Sequence, residues 1–375
     1  MAKGFDVAPW MDRLGGFIER HPATWIKLGG LETHLLESTL ADVRIDRPIY
    51  VTGLARSGTT ILLEILARHP EVATHRYRDF PMLFTPYAWN RWLELVPQKQ
   101  EAPAERSHGD GIAVTSESPE AFEEPLWMAF FPELHDPAQS AVLDAGEHHP
   151  LFERFYRDHI RKLLAVRGRR RYVAKGNYNV TRIGYLAKLL PDARFVIPVR
   201  DPVWHIASLM KQHRLFLDGQ RDNAAARRHL RRVGHFEFGA DRRPINVGDD
   251  AATAEVIALW QAGEEVRGWA RYWAQLHHYI ADLVERQPAP AIRIVRYEDL
   301  CAAPHATLRG VLDHCALPAD GSFLSEAADR LHQPTYYRPR FSAEDLAIIA
   351  AETAGAAARF GYHLDGAPAL RHSAQ

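Results

Sequence analysis

Residues 52–60 read Thr-Gly-Leu-Ala-Arg-Ser-Gly-Thr-Thr and have the composition of a loop that binds an anion. The loop follows a short apolar segment and precedes a segment with helical periodicity. In such a strand–loop–helix unit, backbone N–H groups and the helix N-terminus bind phosphate or a similar anion. The spacing Gly53-x4-Gly58 matches an ATP-binding loop, but Thr59 stands where that motif requires lysine. The cation is instead Arg56, inside the loop, and this favours an activated anion other than ATP.

A second pair of residues suits a second anion. Arg200 follows the apolar segment 194–199, which is predicted to be a strand, and Ser208 lies eight residues later in a predicted helix. Ligands of parallel sheets bind beyond the carboxyl ends of the strands. A guanidinium group there can bind a phosphate through two hydrogen bonds, and a hydroxyl can add a third. Taken alone, Arg200 is equally compatible with a structural ion pair to Asp201 or another carboxylate.

Bulk composition describes an ordinary globular protein. The chain has 375 residues, of which 46% are hydrophobic and 25% are charged, and its net charge of −1 gives no indication of nucleic-acid binding. Two cysteines, Cys301 and Cys315, are too few for a disulfide framework and fit a reducing compartment. The sequence shows neither a signal peptide nor an apolar stretch of membrane-spanning length, so we expect a soluble, cytoplasmic protein.

The hydrophobic pattern alternates between strands and helices, which predicts parallel βαβ units and an α/β fold. Strands are predicted at 48–52, 171–175, 194–199 and 292–295. Helices are predicted from the phosphate loop to about Arg68, at 150–166, at 180–190, from about Val203, and at 256–286. The tryptophans of this last helix have the spacing of core residues. The basic run at 161–171 is predicted to be a solvated helix end.

Three regions are predicted along the chain. Residues 1–47 form helices that pack on the main domain, and residues 48–340 form that domain. Within it, residues 215–255 are rich in charge and arginine pairs, and we expect an inserted lid or acceptor-binding segment. The arginine pairs fit a solvated surface and an acidic acceptor equally well. Residues 341–375 form a C-terminal helix and tail.

Three patterns in combination resemble the sulfotransferases that use 3′-phosphoadenosine 5′-phosphosulfate (PAPS). They are Gly-x-x-Arg-Ser-Gly-Thr-Thr at 53–60, a strand-ending Arg200 followed by Ser208, and Tyr-Glu-Asp-Leu at 297–300 after another strand. The chain looks most like the bacterial and tyrosyl-protein branch of that family. The resemblance covers about residues 48–320. It implies a P-loop-type three-layer sandwich, in which helices flank a central parallel sheet.

The resemblance also implies which residues bind PAPS and its product PAP. The 5′-phosphosulfate would be held by Arg56, Ser57, Gly58, Thr59 and Thr60. The 3′-phosphate, which distinguishes PAPS from ATP, would be bound by Arg200 and Ser208. Lys175, at the end of the second predicted strand, would contact the sulfate or the bridging oxygen. With Arg56 and Lys175 as catalytic cations, the transfer requires no metal ion.

The general base is the point at which this chain departs from the family. The cytosolic branch has Lys-x-His where this chain has Lys175-Gly176-Asn177, and an amide cannot take up a proton at neutral pH. Other branches place a carboxylate after the phosphate-loop helix, and by that comparison we predict Asp79 as the base. The alternatives are His75, His108, Asp110, Glu123 and Glu124. Asp79 could instead pair with Arg76 or Arg78 and shape the loop.

Two other functions are compatible with the sequence. A P-loop kinase or NTPase would use the same loop with Mg-ATP, and a non-catalytic PAP- or PAPS-binding protein would explain Asn177. The predicted partner is a small-molecule, carbohydrate, lipid or peptide acceptor rather than a nucleic acid. The sequence identifies neither the acceptor nor the oligomeric state.

Overall fold

The structure is a computed structural model that describes residues 5, 7–96, 102–105, 113–286, 291–331 and 339–364. Its strands are β1 (Ile49–Val51), β2 (Val72–Ala73), β3 (Ala104–Glu105), β4 (Ala113–Val114), β5 (Arg171–Lys175), β6 (Arg194–Val199) and β7 (Ile292–Arg296). β3 and β4 form an antiparallel pair. The other five form one parallel sheet in the order β2-β5-β1-β6-β7. The predicted α/β fold is confirmed.

The helices cover both faces of this sheet and supply the N-terminal and C-terminal parts of the described chain. The first eight are α1 (Pro9–Arg20), α2 (Pro22–Leu35), α3 (Glu37–Leu40), α4 (Thr59–Ala67), α5 (Pro86–Leu95), α6 (Glu124–Phe130), α7 (Pro150–Arg167) and α8 (Ile183–Leu189). The others are α9 (Pro202–Gln220), α10 (Ala224–Arg232), α11 (Asp250–Gln261), α12 (Glu265–Arg286), α13 (Tyr297–Ala302), α14 (Pro304–His314), α15 (Gly321–Ala328) and α16 (Ala343–Ala358). None of the helices in the described part of the chain combines the length and apolar character that a bilayer span requires.

Alternate residues of β1 pack into two different hydrophobic clusters, one on each face of the sheet. Ile49 and Val51 belong to the cluster on one face of the sheet, which also contains Leu62 and Leu66 of α4. Tyr50 points to the other face, where its ring lies 5.6 Å from that of Phe195 and 6.5 Å from that of Tyr172. This alternation is the period of a strand, and the burial of both faces explains why the parallel strands are apolar throughout.

The strand register determines where the candidate site residues lie. Val51 pairs with Lys175 of β5 on one side and with Val196 of β6 on the other. The phosphate loop leaves β1 next to Lys175, and Arg200 follows the last residue of β6. β7 ends beside β6, because Val199 pairs with Arg296. The carboxyl edge of the sheet therefore brings together the phosphate loop, Lys175 and Arg200.

Two sequence-based expectations are wrong in detail. The single helix predicted at 256–286 is two helices, α11 and α12, separated at Gly263, whose φ of 81° breaks the helical path. The basic run at 161–171 is a solvated helix end only in part, at the exposed Arg169 and Arg170. Lys162 is fully buried against Glu32, with Nζ and Oε2 3.0 Å apart, and Arg171 is also buried.

Arg171 fixes two distant segments to the amino end of β5. Its guanidinium group donates hydrogen bonds to four backbone carbonyl oxygens, those of Asp46, Arg47, Cys315 and Ala316, at 2.6–2.9 Å. A planar group with five N–H donors can satisfy several carbonyls at once, and an apolar side chain of the same size can satisfy none. Arg171 thus joins the chain before β1 to the turn after α14.

We expect Arg171→Met to lower the free energy of unfolding by about 3 kcal/mol or more, since each buried carbonyl left without a partner costs about 1–3 kcal/mol. Arg170→Met is the matched control. The Arg170 side chain is 79% exposed and its ion pair with Glu71 is on the surface, so its loss should cost less than about 1 kcal/mol. Urea denaturation of both variants measures the difference, and equal stabilities would contradict this account of Arg171.

Candidate active site

The phosphate loop has a backbone that few residue types adopt. Gly53 and Gly58 have φ values of 129° and 114°, and Arg56, which is not a glycine, has a φ of 71°. A Cβ atom on Gly58 would lie 2.8 Å from the ring of Tyr297, so the loop can pass there only as glycine. Immediately after Gly58, α4 begins at Thr59. The loop therefore directs backbone N–H groups and a helix N-terminus toward the carboxyl edge of the sheet.

Arg56 and Arg200 lie next to each other. Arg200 is 5% exposed, and one of its terminal nitrogens, Nη1, lies 3.4 Å from the Arg56 carbonyl oxygen, to which it donates a weak hydrogen bond. Arg56 Nε in turn donates to Ser208 Oγ over 3.3 Å. The structure thus brings the loop and the predicted second site together into one site. Their roles as ligands of PAPS remain predictions.

Two buried polar atoms in this cluster have no hydrogen-bond partner among the described residues. They are the Ser57 hydroxyl, which is fully buried, and Nε of Arg200. Buried donors are nearly always paired in folded proteins, and exceptions concentrate where a ligand completes the pairing. The cluster has the donor set that an anionic ligand would satisfy.

Tyr297 supports both parts of the cluster. The guanidinium carbon of Arg200 lies 4.7 Å from the centre of the Tyr297 ring, which is a cation–π contact, and the same ring packs on Gly58. The next residue, Glu298, accepts a hydrogen bond from the Asp201 backbone N–H at 3.0 Å. Tyr-Glu-Asp-Leu was selected as a pattern, but that tyrosine's position beneath Arg200 was not predicted.

His205 holds the loop to the helix behind it, and sequence reasoning missed it. Its Nε2 lies 2.8 Å from the Ala55 carbonyl oxygen, and Trp273 Nε1 donates to its Nδ1 over 3.1 Å. An imidazole that accepts at Nδ1 and donates at Nε2 is neutral. Burial lowers the pKa of His205 well below its ordinary value, and the repulsion of Arg200 and Arg56 acts in the same direction. His205 therefore fixes the loop without adding a third positive charge.

Lys175 and Asn177 lie where β5 enters the site. Lys175 is the last residue of β5 and lines the cavity described below. Thr52 Oγ1 donates to the Gly176 carbonyl oxygen over 2.7 Å, which ties this turn to the start of the phosphate loop. Asn177 is buried, and its Nδ2 donates to Glu237 Oε1 over 2.8 Å. Glu237, from the predicted insert, was not among the candidate residues.

A cavity of about 1140 Å³ opens over the carboxyl edge of the sheet. Its polar lining includes Arg56, Thr59, Thr60, Lys175, Asn177 and Arg200. Its apolar lining includes Phe5, Met11, Phe80, Phe122, Leu230 and Val233. The hydroxyls of Ser57 and Ser208 are buried beside this surface. The cavity could therefore hold a highly charged molecule and an apolar one side by side.

Asp79 lies in a different environment. It is 1% exposed, and its Oδ1 accepts hydrogen bonds from Arg167 at 2.6 Å and from Asn90 at 2.9 Å. Its Oδ2 accepts from the Arg76 backbone N–H at 2.8 Å. Although burial alone would raise it, the contacts with His75 and Arg167 hold the pKa of this carboxyl well below its ordinary value. These contacts give Asp79 a structural role and argue against our prediction that it is the general base.

The alternative bases differ in their surroundings. His75 is buried, with Nε2 3.0 Å from His159 Nε2. Glu123 accepts hydrogen bonds from the hydroxyls of Tyr156 and Tyr172, both at 2.6 Å. Glu124 is held by Arg182 and by His135, with contacts of 2.6–2.9 Å. His108 and Asp110 lie outside the described residues. Each alternative that is described therefore has a structural partner.

Among the described residues, no three or more His, Cys, Asp or Glu side chains are grouped so that they could hold a metal ion. The predicted core tryptophans, Trp260, Trp269 and Trp273, are buried. The arginine pairs of the insert form ion pairs, such as that of Arg227 with Asp241.

Comparison with known proteins points to one family. A family model described as "Sulfotransferase family" matches residues 48–243, slightly more than half of the chain. No curated protein matches the chain significantly. A sulfotransferase structure from Mycobacterium avium is 16% identical with a TM-score of 0.50, and the match covers 90% of this chain and 83% of that one. A sulfotransferase structure from Mycobacterium tuberculosis H37Rv is 18% identical with a TM-score of 0.46, covering 91% and 86%. The first of these likenesses supports the fold.

We expect Asp79→Asn to lower the free energy of unfolding by about 3–5 kcal/mol, because it leaves the Arg167 guanidinium buried without a counter-charge. In the wild type, the ionised Asp79 carboxylate stabilises the fold fully above about pH 4, the pKa of an aspartate in the unfolded chain. This stabilisation is lost as the pH falls toward the lower pKa that Asp79 has in the folded protein. Thermal unfolding between neutral and acidic pH measures it. The control is Asp46→Asn, whose side chain is 47% exposed and whose loss should cost about 1 kcal/mol or less. A stable Asp79→Asn variant with abolished turnover would restore Asp79 as the base.

Proposed function

The chain belongs to the sulfotransferase family, and we propose that it transfers a sulfuryl group from PAPS to a hydroxyl or amine acceptor. The observation that carries this proposal is the junction of Arg56, Arg200 and Ser208 at the carboxyl edge of the sheet. A nucleotide with phosphate groups at both ends of its ribose needs two cationic sites a short distance apart. An ordinary ATP site needs a lysine at position 59, and this chain has threonine there.

The donor-binding residues fit the groups of PAPS. The amides around Gly58 and the N-terminus of α4 would bind the 5′-phosphosulfate, with Arg56, Thr59 and Thr60 beside it. Arg200 would bind the 3′-phosphate through the Nε donor that has no partner within the described residues. Ser57 and Ser208 would add hydroxyl hydrogen bonds.

The protein's contribution to the reaction is mainly electrostatic. As the sulfuryl group is transferred, negative charge develops on the oxygen that bridges sulfur and phosphorus. Fixed cations stabilise that charge in a site with little water. Arg56 and Lys175 approach the reaction centre from β1 and β5, adjacent strands whose ends are aligned by the pairing of Val51 with Lys175. Fixed placement of both reactants supplies the remaining part of the rate enhancement.

The apolar part of the cavity supports an acceptor with an apolar body. Phe80 and Phe122 pack with ring centres 5.7 Å apart, and Phe80 also lies edge-on to His229 at 5.1 Å. Leu230 and Val233 line the same cavity from the segment around α10. An alcohol or phenol attached to a hydrocarbon or aromatic group would bury this surface, and a free sugar would leave it exposed.

We expect the protein to bind PAP at least about tenfold more tightly than ADP, because charge-assisted hydrogen bonds to the 3′-phosphate are worth about 1.5–3 kcal/mol. Arg200→Ala should weaken PAP binding about ten- to a hundredfold and abolish the preference over ADP. The matched control is Arg194→Ala, at the opposite end of the same strand, which should bind PAP normally. Isothermal titration calorimetry measures all three. Equal affinity for PAP and ADP, or unchanged PAP binding by Arg200→Ala, would refute the donor assignment.

Transfer from ³⁵S-labelled PAPS to a set of phenols and aliphatic alcohols, followed by mass spectrometry of the products, tests the proposed reaction directly. We expect Lys175→Met to lower the rate of transfer about 10²–10³-fold, as removal of a group that stabilises transition-state charge does, and to change PAP affinity little. Lys188→Met, whose side chain lies outside the cavity and is 34% exposed, should transfer normally. Absence of labelled product with every acceptor would count against the enzyme function and favour a binding protein.

A further inference from the structure

A continuous line of polar contacts runs from the phosphate loop to the segment after α10. Thr59 Oγ1 donates a weak hydrogen bond to Asn177 Oδ1 over 3.4 Å, and Asn177 Nδ2 donates to Glu237 Oε1 over 2.8 Å. Glu237 Oε2 then lies 2.9 Å from Nδ1 of His235. All four residues line the cavity. The line therefore connects the helix that would bind the donor to an imidazole on the wall of the same cavity.

Asn177 cannot act as a base itself, but its side chain holds the carboxylate of Glu237. Both ends of its amide are engaged, Oδ1 with Thr59 and Nδ2 with Glu237. An amide nitrogen is a donor and takes up no proton at neutral pH. Asn177 is thus suited to orient Glu237, a residue sixty positions further along the chain, toward the reaction centre.

Glu237 is suited to orient a histidine rather than to accept the proton. It is largely buried, and the attraction of His235, Asn177 and Lys175 outweighs that burial and lowers the pKa of its carboxyl to about 2. A group so far from neutrality is a weak general base, whereas an ionised carboxylate beside Nδ1 stabilises an imidazolium that forms at Nε2. The Nδ1 and Oε2 atoms are close but not aligned for a linear hydrogen bond, and at 2.9 Å the carboxylate still attracts an imidazolium.

The backbone before His235 fixes its position. Gly234 has a φ of 74°, and a Cβ atom there would lie 2.2 Å from Glu124 Cγ, so the turn after α10 requires glycine. The His235 backbone N–H then donates a hydrogen bond to the Leu230 carbonyl oxygen over 2.8 Å. The Phe216 ring packs against the imidazole, with ring centres 4.9 Å apart. The charged and titratable groups that act on the His235–Glu237 pair include Lys175, Tyr178 and Tyr272, on the Glu237 side, and His229 of α10, on the His235 side.

We propose that His235 is the general base of sulfuryl transfer, positioned by Glu237 and, through it, by Asn177. This inference rests on the proposed function. The acceptor oxygen forms the new bond to sulfur while its proton passes to Nε2 of His235. The electron pair of the broken sulfur–oxygen bond stays on the phosphate oxygen of PAP, and the imidazolium then releases its proton to water. The base thus comes from the segment that the sequence analysis treated as an insert.

The test is the pH dependence of transfer from ³⁵S-PAPS to two acceptors, 4-nitrophenol, which ionises readily, and an unactivated aliphatic alcohol of similar size. His235→Gln should lower the rate with the alcohol about 10²–10⁴-fold and remove the acidic limb of its pH profile. With 4-nitrophenolate, which needs no base, the loss should be below about tenfold. Glu237→Gln should give an intermediate loss with the alcohol and shift the limb to lower pH, because the imidazolium loses its counter-charge.

His148→Gln is the matched control. It removes a histidine that also faces a glutamate, with Nδ1 and Oε1 of Glu153 3.0 Å apart, on the surface outside the cavity. It should transfer to both acceptors normally. All variants should bind PAP as the wild type does, so a loss of PAP binding would signal damage to the donor site instead of loss of a base. Equal losses with 4-nitrophenol and the alcohol, or an unchanged pH profile in His235→Gln, would overturn the proposal.

A second measurement needs no acceptor. Histidine ring NMR of the PAP complex, with the His235 signal assigned by its absence in His235→Gln, should show ring nitrogen signals of His235 that move in Glu237→Gln. Unchanged signals would show that the carboxylate does not act on this imidazole and would overturn the positioning role of Glu237. If the wild type binds no PAP at all, the failure lies in the proposed function.

Discussion

The structure depends on holding two arginines and a helix N-terminus close together, although like charges repel. Arg200 donates to the backbone of Arg56, and Arg56 donates to Ser208, so the two guanidinium groups share one small region. The fold surrounds them with neutral support. Tyr297 offers a ring face, and His205 is kept uncharged by its two hydrogen-bond partners. The result is a concentration of positive charge, with neutral groups supporting it, that would attract an anion.

Several buried charges elsewhere in the protein are each paired with an opposite charge. Asp79 with Arg167, Glu124 with Arg182, and Lys162 with Glu32 are each paired at 2.6–3.0 Å. Pairing of this quality offsets the cost of removing both charges from water, and it also removes each carboxylate from acid–base chemistry near neutral pH. The partner distinguishes the carboxylates: Asp79 is held by a buried arginine, whereas Glu237 lies beside an imidazole on the cavity wall.

The sequence predicted the parts of the site that depend on local pattern. Four strands, the phosphate loop and Arg200 follow from short apolar runs and the residues that end them, because parallel strands place those ends together. The burial of Arg171 and the partners of Asp79 could not be predicted, since the groups that satisfy them lie up to 145 residues away. The contact of Asn177 with Glu237 joins residues sixty positions apart through an irregular segment. No local period marks such a segment, although the adjacent Gly234 was a visible signal of a sharp turn.

At Arg56, local stability and the proposed activity make opposite demands on one residue. The left-handed backbone favours glycine, whereas the proposed activity needs the guanidinium group. A side chain with a Cβ atom in that conformation costs about 1–2 kcal/mol relative to glycine. Selection for thermostability alone would therefore replace Arg56 with glycine or asparagine and would relax the loop while it removed the guanidinium. At such a position, a substitution that relieves backbone strain also removes the side chain that the proposed activity requires. Consensus-based stabilisation of this protein would have to leave that loop untouched.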